Sequence, residues 1–276
     1  MLRSKSLRIA AVTAAVASLA LVGCSSDSSP EASEEAGGLT LADVQEAGVL
    51  VVGTEGTYSP FSFHADGGTG ELTGYDVDVI TAIAEELGVE VQFEETQWDA
   101  IFAGLDSGRW DVIANQVSIN PEREERYSFS TPYTYSPGVL IVPTDSDIQS
   151  FADLEGATSA QSLTSNWAEV AEENGATVEG VEGFAQAVEL LRTGRVDATI
   201  NDRLTFLDYE TAQGGDIGVE IVDETDEVSE SAVTFRQGSD DLVAAVDEAI
   251  ATLTADGTLA EISARYFGED VSVPEA

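Results

Sequence analysis

Leu105-Asp-Ser-Gly108-Arg109-Trp-Asp111-Val-Ile-Ala-Asn115 and Leu191-Arg-Thr-Gly194-Arg195-Val-Asp197-Ala-Thr-Ile-Asn201 carry Leu, Gly, Arg, Asp and Asn at identical offsets. Each stretch reads as a helix that stops on a left-handed Gly, a turn, and a buried strand. Such a repeat predicts two similar α/β lobes. Ligands of open α/β sheets collect beyond the carboxyl ends of the strands. Asn115-Gln116 and Asn201-Asp202 are therefore expected as two polar strand tips facing each other across a cleft.

Working outward, the same cadence fills the chain from Leu41 onward. Val49 to Val52 is an apolar strand; Val77, Ile80, Ile83, Ala84 and Leu87 recur at helical spacing until Gly88 stops them. Further helices are expected near Trp98 to Asp106, near Asn166 to Glu173 and around Phe184, Ala187, Val188 and Leu191. A last long helix has Leu242, Val246, Ala249, Ile250 and Leu253 on one face. Strands are expected at Val89 to Phe93, Asp111 to Ala114, Thr177 to Val181 and Val196 to Ile200. This alternation is the pattern of an α/β fold with mainly parallel sheets.

The 276 residues include 52 Asp or Glu and 11 Lys or Arg, a formal net charge of -41, yet 43% are hydrophobic. That much apolar side chain argues against a disordered acidic polymer. The negative surface argues against nucleic acid as a partner, because it repels phosphate. One Cys excludes an internal disulfide and a Cys-rich zinc site, and one His, His64, excludes a His-rich metal site. No metal and no cofactor is expected, and His64 reads as a loop residue.

Residues 1-23 carry Arg3, Lys5 and Arg8 ahead of an apolar run from Ile9 to Val22, the order of an export signal and too short to span a bilayer comfortably. The run ends in Leu21-Val22-Gly23-Cys24, which resembles the lipobox of bacterial lipoproteins; the alternative is an ordinary secretory peptide with a chance Cys. Residues 24-38 have no large apolar side chain and read as a flexible tether. Loss of the leader removes three cations and leaves eight basic residues against 52 acidic ones, a formal charge of -44 with no lysine. Such a surface suits saline surroundings, where ions screen self-repulsion. Drift in a GC-rich genome explains the missing Lys better than the excess of acid.

Gly53-Thr-Glu-Gly-Thr-Tyr-Ser-Pro-Phe-Ser-Phe63, Gly74-Tyr-Asp-Val-Asp78, the run from Gly108 to Arg123, Phe129-Ser-Thr-Pro-Tyr133, and Asp256-Gly-Thr-Leu through Tyr266-Phe-Gly268 together resemble the extracellular solute-binding proteins (family 3) of polar amino-acid ABC transporters. The likeness covers nearly everything from Leu39 to Val271. Ala160-Gln-Ser-Leu-Thr-Ser-Asn166 with Asn201-Asp202 is most similar to the cystine-binding branch. The resemblance implies a two-lobed periplasmic-binding-protein-like fold (type II), two mainly parallel sheets joined by two hinge crossings. It puts lobe 1 at 39-133 and 233-271, lobe 2 at 134-232, and the hinge near Tyr133 to Pro137 and Val228 to Val233. It further implies an extracellular, membrane-held monomer, lipidated at Cys24, that closes on an amino acid and passes it to an ABC permease.

An amino-acid ligand carries a carboxylate and an ammonium on one carbon, so its site needs a cation and an anion held a few ångströms apart. Arg123 suits the carboxylate, because its planar fork binds both oxygens, and Asp202 suits the ammonium. In an empty cleft both are expected near water. Ser118, Thr164 and Ser165 are candidate hydroxyl and backbone donors, Thr164 and Ser165 alternatively as plain helix caps. Tyr58 and Trp98 match aromatic walls of the family's pocket; Glu55, Gln116 and Gln161 are candidate side-chain contacts. Gln161 stands where some relatives carry a basic residue, which argues against a tight grip on an acidic side chain. The ligand order is L-cystine, then glutamine, then another polar amino acid.

Two other classes compete. A dehydratase-type enzyme on this fold needs a proton donor and acceptor in the cleft, and Glu55 is the one candidate; the matching motifs favour binding without catalysis. A sensory receptor module needs a signalling domain for closure to drive, and none is legible.

Overall fold

The repeated motif builds two sheets of one design. The computed structural model describes residues 38–274, all within one compact unit; the leader, Cys24 and the tether up to Gly37 lie outside the described residues. The chain opens with α1 (Leu41–Ala47) and β1 (Val49–Thr54). A small antiparallel excursion follows, made of β2 (Thr57–Tyr58), β3 (Ser62–His64), the turn α2 (Ala65–Gly68) and β4 (Leu72–Thr73). Then come α3 (Tyr75–Leu87), β5 (Glu90–Glu95), α4 (Trp98–Asp106), β6 (Val112–Ile113), α5 (Pro121–Glu124) and β7 (Tyr127–Phe129). Strand β8 (Thr134–Pro143) leads into β9 (Thr158–Gln161), α6 (Asn166–Glu173), β10 (Thr177–Gly180), α7 (Phe184–Arg192), β11 (Thr199–Asp202), α8 (Arg203–Ala212) and β12 (Val219–Ser231). Finally β13 (Thr234–Arg236), α9 (Asp240–Asp256) and α10 (Thr258–Phe267) return to the first sheet.

The first sheet has the order β5-β1-β6-β13-β7. The second has β10-β9 joined through the parallel bridge Ser159–Ala198 to β11-β8-β12, so the strand orders correspond. In each sheet all strands but one run the same way, the exceptions being β13 and β8. Those two strands follow the passages between lobes. A chain arriving from the opposite lobe enters the sheet from the opposite end. Strands β8 and β12 pair antiparallel from Pro143–Val219 to Thr134–Ser231, so the crossings lie side by side as a ribbon.

The repeat has a physical use beyond its turn. Gly108 and Gly194 adopt φ 70° and 65°, and the Asp three residues on clamps the neighbouring strand. The Asp111 N–H donates to Val51 O at 2.8 Å while its carboxylate accepts from the Val51 N–H at 2.9 Å. Asp197 does the same to Thr158, at 2.8 Å in both directions. Because that Asp is spent on the clamp, β6 starts at Val112 and β11 at Thr199, later than the apolar runs predict.

Helices α3 and α9 bury the predicted stripes, Ile80, Ile83 and Leu87 against Leu242, Val246 and Ile250. Gly88 closes α3 at φ 76° with its N–H on Ala84 O and Glu85 O. Trp110 fills the space beside β1 and α4, where a Cβ on Gly53 or Gly104 would meet its ring at 2.6 or 1.9 Å. Among the described residues no helix is long and apolar enough to cross a membrane.

Candidate functional site

A cavity lies between the lobes. Its first-lobe wall is Glu55, Tyr58, Ser59, Trp98 and Gln116; its second-lobe wall includes Gln161, Ser165, Phe184, Asn201, Asp208 and Tyr209. Glu55, Gln116, Gln161 and Asn201 sit at or just beyond the carboxyl ends of β1, β6, β9 and β11. Ser118, Arg123, Thr164 and Asp202 do not line this cavity, and Ser118 borders a second opening with Asn166 and Trp167.

Arg123 is the only buried cation among the described residues, and no carboxylate there forms an ion pair with it. Its Nη1 donates to Ser118 O at 2.9 Å, and its guanidinium lies 5.4 Å from the ring centres of Trp98 and Phe102. Burial pulls its pKa down to about 10, so it stays cationic at neutral pH. The Arg123 N–H itself is taken by the α5 cap, donating to Asn120 Oδ1 at 2.8 Å.

Three buried carboxylates, Glu55, Asp76 and Asp202, lie close enough to act on Tyr58, and of these only Glu55 lines the cavity. Burial pushes Glu55 up to about 7, against a 2.8 Å hydrogen bond from Asn115 Nδ2. Burial likewise pushes Asp76 to about 7 and Asp202 to about 6. Asp202 is not near water; it caps α8 by accepting from the Leu204 N–H at 2.8 Å and takes the Ser136 hydroxyl at 2.9 Å. A buried carboxylate stays ionised only when donors compensate it, and the Leu204 N–H and the Ser136 hydroxyl are the donors here.

The polar tips do not simply face each other. Asn115 turns inward to the Thr54 hydroxyl and the Glu55 N–H, at 3.0 and 2.8 Å. Asn201 does reach across, accepting from the Tyr58 hydroxyl at 3.2 Å, while the Thr205 hydroxyl donates to Tyr58 at 3.1 Å. Ser59 donates to Asp208 Oδ2 at 2.8 Å. Thr164 is held by Asp99, and Ser165 caps α6 through the Ala168 N–H at 3.1 Å. Gln161 donates to Ser159 at 3.0 Å. His64 lies outside the cavity, beside Gly70 O and Glu95. Sequence reasoning did not single out Phe184, Thr205, Asp208 or Asp76. Phe184 reads as core, and Thr205 and Asp208 lie on a helix with no motif. Asp76 sits within Gly74-Tyr-Asp-Val-Asp78, a stretch that carries the family resemblance and no site role of its own.

Two lobes of one design, joined by a two-stranded ribbon with a cavity between them, define a solute-binding protein of the type II arrangement. The chain belongs to the bacterial extracellular solute-binding proteins, family 3, matched over residues 50–269. It is similar to the L-cystine-binding protein TcyA of Bacillus subtilis (strain 168), 48% identical over 269 residues that cover 97% of this chain and 99% of that one. Among solved structures it resembles the L-cystine solute receptor of Neisseria gonorrhoeae in the unliganded open conformation, at 46% identity, 85% and 100% coverage and a TM-score of 0.58. It also resembles an ABC uptake transporter substrate-binding protein from Streptococcus pneumoniae with bound histidine, at 29% identity, 84% and 98% coverage and a TM-score of 0.77. These are binding proteins, and the chain stands with them rather than with enzymes. Hydrogen bonds from Tyr58, Ser59 and Thr164 span the cleft, so the two lobes are in contact in this arrangement.

Proposed function

We propose that this protein captures a polar amino acid, L-cystine, by closure of its two lobes and delivers it to an ABC importer. The carrying observation is Arg123, a buried cation with no ion-pair partner among the described residues. A buried cation without a counter-ion is costly, and a ligand carboxylate supplies the missing partner while its ammonium meets the carboxylates. Tyr58 and Trp98 wall the side chain; Gln116, Gln161 and Ser165, which line the cavity, add polar contacts. The choice of cystine is supported by the relatives' names and by Gln161 in place of a basic residue.

In this reading lobe 1 is 39-133 with 233-271, lobe 2 is 134-232, and the β8–β12 ribbon is the hinge. The protein acts as a monomer held to the outer face of the cell membrane by lipid on Cys24, and C24A should move it to the soluble fraction. Closure needs a ligand that favours the closed state. Small-angle scattering should show L-cystine compacting the wild type; an unchanged profile at saturating cystine counts against the reading.

A further inference from the structure

Strand β8 carries the first crossing between the lobes, and two of its side chains there, Thr134 and Ser136, are buried. Residues two apart on a strand point to one face, so both hydroxyls leave the crossing on the same side. Each is held by a buried acid, and the two acids come from different lobes. On the first lobe, Asp76 in the first turn of α3 accepts from the Gln116 backbone N–H at 2.8 Å and from Gln116 Nε2 at 2.6 Å. The same Nε2 donates to the Thr134 hydroxyl at 3.0 Å, and Gln116 adopts a left-handed φ of 50° there. On the second lobe, Asp202 ends β11, caps α8 and accepts from the Ser136 hydroxyl at 2.9 Å.

Neither acid has a counter-ion. Among the described residues no ion pair includes Asp76 or Asp202. Around Asp76 stand the Gln116 amide, the phenols of Tyr75 from α3 and Tyr133 from the crossing, and Asp202 itself. Around Asp202 stand the Ser136 hydroxyl from β8, the Leu204 and Thr205 N–H groups of α8, and the Tyr58 phenol of the first lobe. Apart from the two acids these neighbours are neutral. Burial raises both carboxyls, and the charge of Asp202 raises Asp76 further. Two like charges held together away from water repel far more strongly than at a wet surface, and salt screens them little. Opening carries Asp202 off with the second lobe and admits water, which relieves the repulsion.

We propose that Asp76 and Asp202 form a like-charge pair across the hinge, which keeps the lobes of the empty protein apart while both are ionised and lets them meet when either charge is lost. Contact of the lobes favours the protonated pair, so by linkage protons favour contact. With the lobes together Asp202 titrates near 6 and Asp76 near 7, and both fall back toward about 4 as water enters. The switch therefore works between about pH 5 and about pH 8. A protein held open while empty is ready to admit a solute, whichever one the cavity takes.

Small-angle scattering of the ligand-free protein tests this, at about 1 M salt so that the surface charge is screened. The wild type should have a larger radius of gyration at about pH 8 than at about pH 5. D202N keeps the α8 cap, because Asn caps as well as Asp. D76N keeps its hydrogen bonds once the Gln116 amide turns over, since Gln116 Oε1 has no partner in the wild type and can accept from the new amide. Each variant should be as compact at the alkaline end as the wild type is at the acid end, with no further response to pH. A wild-type radius that is the same at both ends overturns the proposal. So do variants that stay as extended as the wild type at the alkaline end, or that compact on acidification as it does. If D76N does not fold, D202N decides alone. No ligand enters the measurement, so its failure leaves the amino-acid reading standing, and calorimetry with L-cystine tests that reading separately.

Discussion

Thr164, in the loop before α6 of the second lobe, donates both its backbone N–H (3.1 Å) and its hydroxyl (2.8 Å) to a single oxygen, Oδ1 of Asp99, on α4 of the first lobe. Both residues are exposed, and Ser59 to Asp208 makes a further contact between the lobes. These bonds exist only when the lobes are together, so they favour closure without touching ligand. D99A should weaken ligand affinity by about 1 kcal/mol, roughly fivefold, with the unfolding midpoint of the empty protein nearly unchanged. Calorimetry paired with thermal unfolding checks both halves.

Arg123 and Asp202 should respond differently from each other. R123A should cost about 2–5 kcal/mol of binding, as when one buried charge loses its partner. D202A should lose binding as well, but it also removes the cap of α8, so the empty protein should lose about 1 kcal/mol of stability. Equal midpoints for D202A and wild type without ligand would show that the cap carries no weight.

Stability of the empty protein should fall as pH rises through the range where the buried carboxylates ionise. Glu55 and Asp76 titrate near 7 and Asp202 near 6 in the folded chain, above the unfolded values of about 4. A raised folded pKa gives stability that is complete below the unfolded pKa and lost as pH climbs through the folded one. At molar salt, which screens the surface, the midpoint should decline from about pH 4 to about pH 8. E55Q should flatten part of that decline, and an E55Q slope equal to wild type would remove Glu55 from the account.

The surface makes a separate prediction. Arg126, Arg192, Arg203 and Arg265 each pair with an acidic side chain, which leaves most of the 52 acidic residues without a cation. Raising monovalent salt from about 0.05 M to about 1 M should raise the unfolding midpoint, because repulsion is screened as the Debye length shrinks. A flat or falling midpoint would reject adaptation to saline surroundings.

Most of the fold was legible because it is written in periodicities. The stripe Val77 to Leu87, the stop at Gly88 and the bounds of α4 and α6 follow from side-chain spacing and from glycine's access to φ > 0. The site was legible only through the family likeness, and then incompletely. Thr164 and Ser165 read equally well as anion donors or caps, and the partner of Thr164 is 65 residues away on another lobe. Nothing local announces it. Asp76 was hidden for a similar reason. Its meaning comes from Gln116, 40 residues on, and from a left-handed backbone that no spacing rule marks. Asp202 was expected near water because a cleft suggests solvent, whereas its cap and Ser136 bury it.

The central claim is that the closed cavity is an amino-acid trap selective for cystine. Isothermal titration of wild-type protein with L-cystine, L-glutamine, L-arginine and L-glutamate tests it most directly. L-cystine should bind tightest, at one ligand per chain. Arginine or glutamate binding tightest would contradict the selectivity, and no heat from any of the four would contradict the trap itself.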